Sequence, residues 1–97
     1  MVYEDDFVVA FRDIAPVAPT HVLIVPRRHI VDVNTLEGED QQELIAMFLA
    51  SKTIAGEEGI ATDGYRLTFN VGKDAGNSVA HLHLHLLGGR FLAWPPG

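Results

Sequence analysis

Between Ser78 and Arg90 the chain reads Ser-Val-Ala-His-Leu-His-Leu-His-Leu-Leu-Gly-Gly-Arg, with His81, His83 and His85 alternating with Leu82, Leu84 and Leu86. Few patterns constrain a fold more. On a β-strand successive side chains point to opposite faces, so a period of two puts every histidine on one side and every leucine on the other. A helix would scatter the same imidazoles around its axis. The run therefore predicts a strand over 79–87 with a buried leucine face and a chemically active histidine face. Same-face neighbours on a strand stand roughly 6.5–7 Å apart, near enough for one ligand to touch two of them. Three of the chain's five histidines fall within this stretch, a concentration that a merely solvated face does not require.

Two chemistries use such a face. Histidines at i, i+2 on a strand can both ligate zinc. Alternatively one imidazole acts as a nucleophile while its neighbours hold its tautomer and contact the substrate. The preceding segment, Asn70-Val71-Gly72-Lys73-Asp74-Ala75-Gly76-Asn77-Ser78, is small, polar and glycine-spaced. Such loops can turn successive backbone N–H groups toward an anion, most often a phosphate. A metal site does not need that loop, whereas phosphoryl transfer does.

The overall balance limits the partners. A net charge of −6 argues against a nucleic-acid backbone, which demands a basic patch, but is compatible with a small nucleotide held by a few local groups. No cysteine is present, so neither a disulfide framework nor a thiolate zinc site is available. Apolar runs fall well short of the ~20 residues that cross a bilayer, and the acidic start Met1-Val2-Tyr3-Glu4-Asp5-Asp6 lacks the layout of a secretory signal. A cytoplasmic setting, with the nucleus also open, is the expectation. Ninety-seven residues, 47% of them hydrophobic, fit one small domain over 1–97.

Along the chain, Phe7–Phe11 and His21–Val25 read as strands separated by a loop containing Pro16 and Pro19, and, being close in sequence, they are expected to pair antiparallel. Asp40-Gln41-Gln42-Glu43 has the form of a capping box. It opens a helix over about 40–56, on which Leu44, Ile45, Phe48, Leu49 and Ala55 recur at helical spacing. That stripe, with Met47 and Phe48 in the core, is expected to cover one sheet face. After the Asp63-Gly64 turn, residues 65–71 form a strand, the loop 72–78 follows, and Gly88-Gly89 ends the histidine strand. The order β-β-α-β-β reads as an α+β antiparallel sheet with a helix on one face.

His81-Leu82-His83-Leu84-His85-Leu86-Leu87 resembles the signature of the histidine triad (HIT) family of nucleotide hydrolases and transferases. Phe11-Arg12-Asp13-Ile14, the stretch Pro19–Ile30, the Asn70 loop, Gly88-Gly89-Arg90 and Trp94-Pro95-Pro96-Gly97 are similar to the nucleotide-binding branch of that family. The resemblance covers essentially the whole chain, although relatives of that branch usually carry a further segment before the position of Met1. It implies a HIT-like sheet of about five strands with one main helix, paired across a twofold axis into a homodimer with a continuous ten-stranded sheet. It also implies a hydrolase that cleaves the P–N bond of a purine nucleoside monophosphate joined to an amine, through a nucleotidyl-histidine intermediate and without a metal or cofactor. Two alternatives are a non-catalytic nucleotide-binding scaffold and a dinucleoside polyphosphate hydrolase. Neither nucleic acid nor membrane is an expected partner.

The resemblance further implies a role for each matching residue. His83 is the nucleophile, its second ring nitrogen donating to a backbone carbonyl on the same strand. His85 lies by the phosphate, and its presence where transferase relatives carry glutamine favours hydrolysis. His21 relays protons, and His81 stands behind the nucleophile. Ser78 helps protonate the leaving amine. Gly76 and Asn77 offer backbone N–H groups to the phosphate, Asn77 replacing the usual glutamine, and Asn70 contacts ribose or phosphate. Asp13 accepts hydrogen bonds from the ribose hydroxyls, as a carboxylate can from a cis-diol. Phe11, Ile14 and Leu23 form the apolar walls around the base. His29 is expected to be structural.

Overall fold

The computed structural model describes all 97 residues. Five strands form one antiparallel sheet: β1 (Tyr3–Glu4), β2 (Val8–Arg12), β3 (Thr20–Pro26), β4 (Tyr65–Thr68) and β5 (Leu84–Gly88). Their spatial order is β1-β2-β3-β5-β4. The hairpin expected from sequence is present, with Phe11 opposite Leu23 and Val9 opposite Val25. The helix, α1 (Gln41–Glu57), packs across β2 and β3. Short 3₁₀ turns occupy Val33–Thr35, Gly38–Asp40 and Lys73–Ala75.

Alternation sorts the sheet into two faces. Val8, Ala10, Val22, Ile24, Leu82, Leu84 and Leu86 are buried against Met47, Ala50, Ile54 and Ala55 of α1. The opposite face carries Phe11, His21, Leu23 and the histidines of the triad. The helix covers only one face, so the other stays open to a ligand.

Four expectations are corrected. The histidine run alternates as anticipated, but β5 begins only at Leu84. The β3–β5 ladder runs from Thr20 opposite Gly88 to Ile24 opposite Leu84. Continued by two residues, it would need an N–H from Pro26, which has none. The Leu82 N–H instead donates to the Ile30 carbonyl at 2.6 Å, so residues 79–83 lie outside the ladder, with a bend at Ala80 and His81. Similarly β4 ends at Thr68, short of the expected 71.

On α1, the residues turned to the sheet are Ala46, Met47, Ala50, Ser51, Ile54 and Ala55, while Ile45, Phe48 and Leu49 are exposed. Apolar residues occupy nearly all sides of this helix, so spacing alone could not choose among them. The side rich in alanine and serine lets the helix backbone approach the sheet closely. Phe48 meets Phe69 edge-on at 6.3 Å between ring centroids.

The capping box over 40–43 is also absent: Asp40 occupies the N-cap position without a side-chain cap bond. Its carboxylate pairs with Arg28 and accepts the Glu37 N–H at 2.8 Å. Arg28 also donates to Glu43 at 3.0 Å. A guanidinium from the end of β3 thus takes both carboxylates that would have capped the helix.

Candidate active site

The site forms where β3 and the segment leading into β5 lie side by side on the open face. His83 is half-buried. Its Nδ1 lies 2.8 Å from the His81 carbonyl. A carbonyl only accepts, so Nδ1 carries the proton and the Nε2 lone pair is left free in the neutral ring.

The opposite protonation pattern is set at His85. The Val17 N–H donates to His21 Nδ1 at 3.1 Å, which makes His21 Nε2 the protonated nitrogen of a neutral ring. That nitrogen is 2.9 Å from His85 Nδ1 and must donate to it, leaving the His85 proton on Nε2. His85 therefore presents an N–H where His83 presents a lone pair, with 5.1 Å between the two ring centroids. Burial, followed by the nearness of His83 and His21, lowers the His85 pKa below its ordinary value, opposed only by Asp13. These effects favour the neutral ring that this bonding pattern requires.

Asp13 joins the same cluster. Its N–H donates to the His21 carbonyl at 3.0 Å and its Oδ1 accepts the Ala15 N–H at 2.8 Å. Oδ2 lies 3.5 Å from His21 Nε2. Asp13, His21 and His85 each bring one potential metal-ligating atom to within 4.8 Å of the others. His21 Nε2, however, holds a proton because Nδ1 accepts from Val17. His21 and His85 are thus joined by a hydrogen bond, with the Asp13 carboxylate beside them, and the three groups are not a set of free lone pairs.

Beside His83 is an apolar pocket of about 310 Å³, lined by Phe11, Leu23, Val25, Val79, His81 and His83. Phe11 and Leu23, expected as apolar walls, both line it, whereas the Ile14 side chain is fully exposed and does not. Val25 and Val79 were missed, although the alternation already placed Val79 on the face of His81 and His83, and Val25 on that of Leu23.

The glycine-spaced loop also differs from expectation. Gly72 and Gly76 have φ of 81° and 77°, values that other residues rarely adopt. These conformations close the loop on itself: the Gly76 N–H donates to the Lys73 carbonyl at 2.9 Å and the Asn77 N–H to the Gly72 carbonyl at 3.1 Å. Neither N–H is free for an anion. The Asn77 side chain accepts the Val79 N–H at 3.1 Å, a local turn that occupies its oxygen. Ser78, the next residue, is exposed. Asn70 is half-buried at the loop's start.

Residues 1–92 match the HIT domain family. The chain belongs to that family. It is 52% identical over 90 residues to the purine nucleoside phosphoramidase of Escherichia coli K12, an alignment covering 93% of this chain and 76% of that protein. It is 50% identical over its full 97 residues to an uncharacterised HIT-like protein of Synechococcus elongatus, covering 84% of the latter. Its fold superposes on a HIT family hydrolase of Legionella pneumophila with a TM-score of 0.96 at 49% identity, covering 99% of this chain and 86% of that one. A histidine triad protein of Clostridium difficile follows at a TM-score of 0.90 and 39% identity, covering 95% and 80%. No helix in the HIT domain described here is long and apolar enough to cross a membrane.

Proposed function

We propose that this HIT family hydrolase is a purine nucleoside phosphoramidase. The observation that carries the reading is the His83 Nδ1–H bond to the His81 carbonyl, which leaves a nucleophilic lone pair beside an apolar pocket. The name of the E. coli relative, at 52% identity, supports the substrate class.

In this reading the base enters the pocket between Phe11, Leu23, Val25 and Val79, and Asp13 takes the ribose hydroxyls. His83 Nε2 attacks phosphorus, a P–N bond to the imidazole forms, and the P–N bond to the amine breaks. The leaving nitrogen takes a proton through Ser78. His85 Nε2–H donates to a phosphoryl oxygen as charge accumulates there, a role that a fixed donor in a partly water-excluded site performs well. Water then attacks the nucleotidyl-His83 intermediate, releasing the nucleoside monophosphate and restoring the free ring. The proton that this water loses replaces the one Ser78 gave to the amine, since His85 Nε2 already carries a proton and His85 Nδ1 accepts from His21. Asn70 contacts the sugar or phosphate. Since Gly76 and Asn77 use their own N–H groups within the loop, phosphate binding falls to Ser78, His83 and His85.

The chain also acts as a homodimer in this reading. β4 lies at the end of the sheet with its outer edge unpaired, and edge-to-edge pairing of two copies would give ten continuous strands.

The test is hydrolysis of adenosine 5′-phosphoramidate with EDTA present, by the parent and by His83→Ala. The reading predicts turnover by the parent and none above background by the variant. A folded parent that binds AMP without turning over the phosphoramidate would contradict it.

A further inference from the structure

The nucleophile is placed by a segment outside the sheet. His83 lies just before β5, so no ladder bond with β3 holds the peptide whose carbonyl fixes its tautomer. Residues 26–30 hold that peptide instead. The Leu82 N–H donates to the Ile30 carbonyl at 2.6 Å, and His81 Nε2 donates to the Pro26 carbonyl at 3.1 Å. Because Nε2 carries the His81 proton, Nδ1 is an acceptor. His29 Nδ1, 3.2 Å away, must therefore donate to it. The two rings meet edge to face with centroids 5.0 Å apart.

The segment is itself well tethered. The Arg27 N–H donates to the Phe7 carbonyl at 2.8 Å, the Arg27 side chain to the Asp5 carbonyl at 2.8 Å, and Arg28 pairs with Asp40 and Glu43. His29 projects from this fixed turn yet is exposed. It lies outside the core, so its contact with His81 is its one hydrogen bond.

We propose that His29 is a positioning residue: by donating to His81 Nδ1 it holds the His81–Leu82 peptide so that its carbonyl keeps the proton on His83 Nδ1 and the lone pair on Nε2. The role concerns the rate of attack and not nucleotide binding. It rests on the phosphoramidase reading only where turnover is used to measure it.

The experiment compares the full chain with His29→Ala and His29→Asn, since asparagine can place an N–H close to where Nδ1–H stands. Hydrolysis of adenosine 5′-phosphoramidate is measured along with AMP affinity, and ¹⁵N chemical shifts of the imidazoles report each tautomer. The alanine variant should lose about tenfold in kcat, in line with the cost of modest misplacement in a reacting group. AMP affinity should stay within twofold, and His83 should show a mixture of tautomers. The asparagine variant should recover most of kcat and the single tautomer. An alanine variant with parental kcat and an unmixed His83 tautomer would overturn the proposal, as would an asparagine variant no better than alanine. If the parent itself fails to turn over the phosphoramidate, the functional reading falls, and the tautomer measurement still decides this one.

Discussion

His83 and His85 are two residues apart on the same face, yet they present opposite chemistry, a lone pair in one case and an N–H in the other. The difference originates at the far ends of their hydrogen-bond chains. Behind His83 stands a backbone carbonyl, that of His81, which draws the proton to Nδ1. Behind His85 stands His21, and behind His21 a backbone N–H, that of Val17, which sends protons outward toward the site. Identical side chains thus present a lone pair in one case and an N–H in the other, according to which kind of main-chain group lies behind each. The two ends also differ in setting: His21 is buried under the Asp13–Val17 loop, whereas His29, next to His81, is exposed.

The largest expected effect comes from removing the lone pair. His83→Ala should reduce kcat on the order of 10⁴-fold or more, as loss of a covalent nucleophile does elsewhere, with AMP still bound. Removing the donor should cost less: His85→Ala is expected to lower kcat by about 10²–10³-fold, the range for one donor to a developing oxyanion. His85→Gln, which retains an N–H, should lie between that variant and the parent. If the alanine and glutamine variants at 85 are equally impaired, His85 is not acting as a donor.

His21→Phe tests the chain behind the donor. It leaves the Val17 N–H without its acceptor, which should destabilise the fold by about 1–3 kcal/mol, measurable by urea unfolding. The same change should lower kcat by roughly tenfold through the freed His85 tautomer. Unchanged stability would mean that the Val17–His21 bond does not set the chain's direction.

The smallest effect is on pH dependence. The folded pKa of His85 is below its ordinary value through burial and its histidine neighbours, while in the unfolded chain it titrates near about 6.5. Above that pH both states hold a neutral ring and His85 contributes nothing. As pH falls below it, the unfolded chain takes up a proton that the folded one resists, so stability declines until the folded pKa is passed. Urea midpoints between pH 8 and pH 5 should fall less steeply in His85→Gln than in the parent. Equal slopes would show that His85 is not kept neutral by the fold.

Much of this could be read in the sequence because period-two alternation is a geometric property. It sorted Leu82, Leu84 and Leu86 to the core and the three histidines to the open face, and would have sorted Val79 as well. The length of the strand was not legible, because it depends on a missing N–H at Pro26 in a different strand. The covered side of α1 was hidden by apolar residues all around it, and its cap by Arg28, which takes Asp40 from 12 residues away. In the Asn70–Ser78 loop, composition gave the turn but not the destination of its N–H groups, since Gly76 and Asn77 bond within the loop. The direction of the two histidine chains also lay beyond the sequence, because it is decided by main-chain groups of Val17, Pro26 and His81 that no residue type encodes.

The most direct test of the central claim is a long-range ¹H–¹⁵N correlation spectrum of the ligand-free protein at pH 8, with the imidazoles assigned through His83→Gln and His85→Gln. The account predicts opposite neutral tautomers, the proton on Nδ1 in His83 and on Nε2 in His85. The same tautomer in both rings would contradict it.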